Sequence, residues 1–118
     1  MVTTEKATVH PWYKGNHEWK VKGIAKLNEP IQYYDLNQGK VSYDPRILLL
    51  DSEKTGKVSW FAYWISTDKT KGKLKWGQGP PVLEEDSLLY LLKEAIRQNF
   101  FDRDFLKELV NELNKALK

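Results

Sequence analysis

The chain has 118 residues, of which 41% are hydrophobic and 30% are charged. This length and composition predict one globular domain and exclude a largely disordered chain. Because there is no cysteine, disulfides and cysteine-bearing zinc sites are excluded, and we expect an intracellular protein. No apolar run is long enough to cross a membrane, and the first residues lack the apolar segment of a secretory signal, so we expect a soluble protein.

The first 16 residues show no clear period, and we expect them to form a flexible arm. Alternating residues then predict strands over 17–27 and 73–77, and stretches bounded by turn residues predict strands at 31–35, 40–44, 46–51 and 58–66. The apolar run at 46–51 suggests an interior strand. Turn residues, such as LNQG at 36–39, separate these strands. Residues 17–83 are therefore predicted to form an antiparallel sheet of four or more strands.

One strand, VSWFAYWIS at 58–66, carries large rings on both faces. Alternation places Trp60 and Trp64 on one face and Phe61 and Tyr63 on the other. Either the strand is buried on both faces, or one core face is backed by a ring-lined binding surface. We favour the second interpretation, with the two tryptophans on the binding surface. The residues expected to face the helices together with Phe61 and Tyr63 are Trp19, Val21, Ile65, Leu74 and Trp76.

Residues 84–118 have a helical period and are predicted to form two helices that clasp the sheet. The second helix is expected to begin with Asp102 or Asp104 as its N-cap. Its apolar stripe is wider than one sheet contact requires, so we expect it also to contact a second copy of the chain. The alternative is that both helices only cover the sheet. The residues predicted to form the oligomer contact are Leu106, Leu109, Val110, Leu113 and Leu117.

The sequence offers little for catalysis or cofactor binding. His10 and His17 are the only histidines, and they are not spaced as metal ligands on a helix. No phosphate-binding glycine motif is present. The acidic triplet at 84–86 is typical of a helix amino terminus, where the helix dipole favours carboxylates. We therefore expect no enzyme activity, no cofactor and no metal site.

Basic charge and rings occupy the same part of the chain. Residues 1–83 carry 13 Lys or Arg against 8 Asp or Glu, together with all five tryptophans, whereas residues 84–118 carry 6 against 8. Cations along a phosphate backbone combined with rings that stack on bases are typical of proteins that bind single-stranded nucleic acid. The predicted stacking residues are Trp60 and Trp64, joined by Phe61, Tyr63 or Trp76 if a cleft opens toward the helices. The predicted phosphate contacts are Lys20, Lys22, Lys26, Arg46, Lys73 and Lys75.

Three stretches together resemble one known family. They are VSWFAYWIS, the junction KWGQGPPVLEEDSLLYLLKEAIRQNFF, and the leucine-bearing end FLKELVNELNKAL. In these the chain resembles the ThermoDBP-related archaeal single-stranded DNA-binding proteins, over roughly residues 17–117. The absence of cysteine, the single methionine and the many Lys and Glu residues also favour a thermophilic source.

The resemblance implies a four-stranded antiparallel sheet clasped by helices, in an α+β fold that is not an OB-fold. It also implies a cleft with aromatic walls and a basic rim, sequence-tolerant binding of single-stranded DNA, and a cytoplasmic protein associated with the nucleoid. Its C-terminal helix would form a dimer or a dimer of dimers. Two alternatives stay open: binding of single-stranded RNA on the same surface, and a protein-interaction module that uses the aromatic face.

Overall fold

The computed structural model describes residues 6–7, 19–77 and 81–118. Within these residues, six strands form one antiparallel sheet and two helices follow it. The elements are β1 (Lys6–Ala7), β2 (Trp19–Lys26), β3 (Ile31–Asp35), β4 (Gly39–Ser52), β5 (Gly56–Ser66), β6 (Lys75–Trp76), α1 (Glu85–Arg97) and α2 (Arg103–Ala116). The predicted α+β class, with an antiparallel sheet before two helices, is confirmed.

The long strand β4 lies at the centre of the sheet. The strand order is β1-β2-β4-β5-β6, and β3 pairs with the first half of β4 on the same side as β2. The predicted strands 40–44 and 46–51 are thus one continuous strand. Pro45 lies between the stretch that pairs with β3, which ends at Tyr43, and the stretch that pairs with β2, which begins at Arg46. Its missing N–H group therefore interrupts neither ladder.

The two faces of the sheet carry separate apolar clusters. On the helix face, Ala25 and Ile47 pack against Leu91, Ala95 and Phe100. On the opposite face, which we call the tryptophan face, the buried cluster contains Trp19, Val21, Leu48, Leu50 and Ala62. Both faces are therefore partly apolar, which explains the rings on both sides of β5.

A β-bulge in β2 corrects the predicted face of two residues. Trp19 and Val21 were expected to face the helices, but both are buried on the tryptophan face. The register with β4 shifts between Val21 and Gly23, and one extra residue reverses the alternation of all that follow. Ala25 therefore faces α1 although it is an even number of residues from Val21. The other expected helix-facing residues include Leu74, which is exposed beside β6.

The carboxyl end of α1 is attached to β2 by close packing and one hydrogen bond. The Phe100 ring lies so close to Gly23 that a Cβ there would come within 2.6 Å of it. The Gln98 side-chain amide donates a hydrogen bond of 2.9 Å to the carbonyl of Ile24. Farther back along α1, the Tyr90 hydroxyl donates to the Asn28 side chain at 2.9 Å. These contacts fix α1 over β2 and the adjacent part of β4.

Helix α2 departs from the expectation that both helices clasp the sheet, because none of its residues is buried. It begins after Asp102, one of the two predicted N-cap residues. Asp102 pairs with Lys57 of β5 at 2.8 Å, and Phe101 stacks on Phe105 with ring centroids 5.0 Å apart. Only α1 therefore covers the sheet within the described part of the chain.

The predicted N-terminal arm, residues 1–16, lies outside the described residues except for Lys6–Ala7. Those two residues pair with Trp19 and Lys20 at the edge of β2. Among the described residues, no helix has the length and apolarity needed to span a bilayer.

Candidate nucleic-acid interface

Trp60 and Trp64 are part of the tryptophan-face cluster. Both are partly buried and pack against it. Their rings meet edge to face, with centroids 6.2 Å apart and an interplanar angle of 62°. The geometry is that of a packed aromatic pair, which is a common arrangement in protein cores.

Arg46 is held against this pair by a buried acid. Its guanidinium lies 4.4 Å from the centroid of the Trp64 ring. Its Nε and Nη2 both donate to the Oδ2 of Asp44, at 3.2 and 2.7 Å, and Asp44 is only 4% exposed. The charge of Arg46 is therefore already compensated within the protein, and its predicted role as a phosphate contact gains no support from the geometry.

The helix face carries a second set of rings, which crosses three strands. We call it the ring row; its members are Phe61, Tyr63, Tyr43 and Tyr33. Phe61 and Tyr63 of β5 are registered with Ile47 and Pro45 of β4. Tyr43 is the next alternate residue of β4, and Tyr33 of β3 is registered with Val41. Residues registered opposite each other share a face of an antiparallel sheet. The row therefore runs diagonally from β5 through β4 to β3, over about 20 Å at 3.3 Å per residue.

The middle of the ring row is fixed by its surroundings. Tyr43 and Tyr63 lie with centroids 4.8 Å apart and planes inclined by 32°. The Tyr63 ring lies over Gly77, where a Cβ would collide with it. The backbone N–H of Val82 donates to the Tyr43 hydroxyl at 2.9 Å. Burial raises the pKa of Tyr43 above its ordinary value; the Val82 hydrogen bond opposes this, and the neighbouring Tyr63 and Tyr33 add to it.

The two ends of the ring row are more exposed than its middle. Phe61 is 39% exposed and Tyr33 is 50% exposed, whereas Tyr43 and Tyr63 are half-buried. The reason is that α1 packs mainly on β2 and β4 and leaves the helix face of β5 more open. Of the four rings on β5, Phe61 is exposed, whereas Trp60, Tyr63 and Trp64 are each half-buried.

The predicted lysines are exposed, but they do not share one face. Lys26 is registered with Arg46 and so belongs to the tryptophan face. Lys20 is registered with Asp51 and so belongs to the helix face. Lys20 and Lys26 lie on opposite faces because the bulge at Lys22 separates them and reverses the alternation. Lys75, registered with Ile65, shares the face of the ring row. Lys73 lies in the loop before β6.

Sequence reasoning missed Tyr33 and Tyr43 as site residues. Both occur in a predicted hairpin, within IQYYD and KVSYD, but their alignment with Tyr63 depends on the register across three strands. Trp76 is registered with Trp64, but its side chain lies outside the described residues.

The predicted oligomer contact forms an exposed stripe along α2. Leu109, Val110, Leu113 and Leu117 are exposed, and Leu106 is half-buried. Leu106 and Val110 line a shallow groove with Arg103, Lys107 and Asn111. An apolar stripe of this kind is typical of a surface that another chain covers.

Among the described residues, no group of three or more His, Asp or Glu side chains is placed to hold a metal ion. His10 and His17 lie outside the described residues. Comparisons with protein-family models, with curated proteins and with solved structures found no match.

Proposed function

We propose that this chain binds single-stranded DNA with little sequence preference, by stacking bases on the ring row while lysines contact the phosphates. The observation that carries the proposal is the row itself. It presents two exposed rings, Phe61 and Tyr33, at the ends of a fixed tyrosine pair on one sheet face. From the three stretches that resemble them, we also propose that the chain belongs with the ThermoDBP-related proteins.

The dimensions of the ring row suit bases. Successive members are two residues apart along the strand direction, or about 6.6 Å, which is about twice the 3.4 Å rise of stacked bases. Tyr43 and Tyr63 already contact each other, so bases would stack at the Phe61 and Tyr33 ends. Each base stacked on an aromatic residue contributes about 1–3 kcal/mol, and every base has a π-face, so the binding would tolerate any sequence.

A phosphate contact beside the row would come from Lys75 of β6, which is registered with Ile65 of β5. Lys20 is on the same face but on β2, away from the row, and would contact only a strand that extends past it. Each phosphate neutralised on a single strand lowers the logarithm of affinity by about 0.7 per tenfold rise in salt. The competing arrangement places the bases on Trp60 and Trp64, with Lys22, Lys26 and Arg46 as the cations.

We also propose that α2 joins two copies of the chain, in a dimer or a dimer of dimers. The support is the apolar stripe on a helix that has no buried residue within the chain. Burial of one leucine side chain contributes about 1.5–3 kcal/mol. Four exposed apolar residues per helix could therefore sustain a helix pair. A single-strand binder of this kind would work in the cytoplasm, associated with the nucleoid.

The decisive experiment measures fluorescence anisotropy of labelled oligonucleotides at two salt concentrations. We expect oligothymidylate to bind, the affinity to fall with salt, and a duplex of the same length to bind weakly. Equal affinity for duplex and single strand, or no binding to either, contradicts the proposal. An RNA oligonucleotide of the same sequence decides between DNA and RNA preference, because only the 2′-hydroxyl differs in the backbone.

A further inference from the structure

Five exposed lysines lie at one end of the sheet, where the β3–β4 turn meets the loop between β5 and β6. We call this group the lysine platform; its members are Lys40, Lys69, Lys71, Lys73 and Lys75. Lys69, Lys71, Lys73 and Lys75 occupy alternate positions of that loop and its continuation into β6. Lys40 is registered with Tyr34 next to the β3–β4 turn, on the opposite face of the sheet from Tyr33. Three of the five were not among the predicted phosphate contacts.

The loop that carries the platform has a defined conformation. A short 3-10 turn covers Asp68–Thr70 and is closed by a capping box. The Thr67 hydroxyl accepts a hydrogen bond from the Lys69 backbone N–H at 3.2 Å, and the Thr70 hydroxyl accepts one from the Thr67 backbone N–H at 2.9 Å. Lys71 ends the turn in a left-handed conformation, with φ of 56°. The lysines are therefore presented from a fixed backbone.

The loop is also fixed to the β3–β4 turn. The backbone N–H of Asp68 donates to the carbonyl of Gln38 at 3.1 Å. Gly39, with φ of +77°, lies directly under the Asp68 carboxylate, where a Cβ would collide with it. Since Tyr33 lies two residues before Asp35, the last residue of β3, this contact places the loop with Lys69 and Lys71 just beyond the Tyr33 end of the ring row. Lys75, registered with Ile65, lies level with Tyr43.

The platform has a net positive charge that the neighbouring acids only partly offset. Asp35 and Asp68 lie in the same two turns, and Asp35 accepts a hydrogen bond from the Gln38 backbone N–H at 3.2 Å. Five lysines against two carboxylates leave +3, equal to the net charge of the whole chain. Within the described part of the chain, none of the five lysines forms an ion pair. Like charges concentrated on two adjoining turns repel one another, and a bound polyanion would relieve that repulsion.

We propose that the lysine platform contacts the phosphates of nucleotides that continue past the Tyr33 end of the ring row. This inference rests on the proposed function and deepens it. A single strand would stack its bases on the row and then cross the platform, so the chain would contact more nucleotides than the rings alone can hold. The strand would leave the site at the end farthest from Phe61 and the α1–α2 junction.

The test compares a short oligothymidylate of about 4 nucleotides, which can cover only the row, with a long one of about 12. In the triple variant Lys69→Gln, Lys71→Gln, Lys73→Gln, the slope of log affinity against log salt for the long oligonucleotide should become shallower by about 2, at 0.7 per lost contact. That change corresponds to up to about 100-fold weaker binding at 0.1 M salt. Binding of the short oligonucleotide should change less than threefold.

A matched control removes the same charge from α1 and the C-terminal end of the chain, in Lys93→Gln, Lys115→Gln, Lys118→Gln. It should leave the slope for the long oligonucleotide almost unchanged, and thermal unfolding followed by circular dichroism should show that both variants stay folded. The inference is overturned if the platform variant binds the long oligonucleotide as tightly as the wild type does. It is also overturned if the variant loses the same factor in affinity for the short and the long oligonucleotide. If the wild type binds neither oligonucleotide, the proposed function itself fails, a result that differs from both.

Discussion

Replacing Phe61 with leucine should weaken single-strand binding while keeping the sheet intact. Phe61 is 39% exposed and lies opposite the fully buried Ile47. Leucine preserves an apolar side chain there, and similar exchanges of one apolar residue for another usually cost less than about 1.5 kcal/mol of unfolding free energy. The stacking it removes is worth about 1–3 kcal/mol, so the affinity should fall about 5- to 150-fold.

The assay is anisotropy of labelled oligothymidylate at several salt concentrations, for the wild type, Phe61→Leu and Trp64→Leu. For Phe61→Leu the lines of log affinity against log salt should be parallel to those of the wild type, because a ring is lost and no cation. Urea unfolding of each variant shows whether the binding change comes from the site or from lost stability.

Stacking on the ring row is refuted if Phe61→Leu binds like the wild type while Trp64→Leu, still folded under the assay conditions, loses binding. The bases would then lie on the tryptophan face. We expect the reverse, with Trp64→Leu losing more stability than affinity, because Trp64 packs on the buried cluster and under Arg46. Measurement well below both melting temperatures separates these two effects.

Three further predictions concern stability and assembly. Asp44→Asn should lower the free energy of unfolding by about 3 kcal/mol, because it leaves Arg46 with a largely buried and unpaired charge. Leu109→Glu with Leu113→Glu should weaken self-association at least tenfold without unfolding the chain, because both residues are exposed within one copy. Tyr43→Phe should cost about 1 kcal/mol near neutral pH through loss of a hydrogen bond. The variant should also show a flatter decline of the free energy of unfolding above about pH 10. In the wild type, the pKa of Tyr43 is higher in the folded protein than in the unfolded chain, where it is near 10.0. The folded protein is therefore stabilised while the phenol is neutral, and this stabilisation is lost as the phenol ionises.

Each of these predictions has a matched control. For the ion pair, Asp44→Asn with Arg46→Met should recover part of the loss in urea unfolding; no recovery contradicts a role for the unpaired charge. For α2, sedimentation of Asn114→Glu, an added charge on the same helix, should match the wild type, and a wild type that is monomeric at all concentrations removes the proposed assembly. For Tyr43, an equally steep alkaline decline in wild type and variant contradicts the pKa argument.

The fold class could be predicted because local patterns agree with it. The strand-like stretches before residue 84 and the helical spacing after it are both local properties of the chain. The face of each residue was harder to predict. Trp19 and Val21 were assigned to the wrong side because one bulge near Gly23 reverses the alternation, and a bulge inserts a residue without a distinctive sequence. Strand β4 was predicted as two strands, 40–44 and 46–51. It is continuous because Pro45 lies between the stretch that pairs with β3 and the stretch that pairs with β2.

By itself, the sequence determined the order of sheet and helices, the concentration of rings and lysines in the sheet, and the apolar stripe of α2. These properties follow from the spacing of residues along the chain. Only the tertiary structure decided which rings form a surface, because Tyr33, Tyr43 and Tyr63 come together through register between strands. It likewise brought the lysines of the β5–β6 loop beside the β3–β4 turn, through one backbone hydrogen bond and a glycine without a side chain in the way. Contacts between residues far apart in sequence depend on the whole packed sheet, and no local period encodes them.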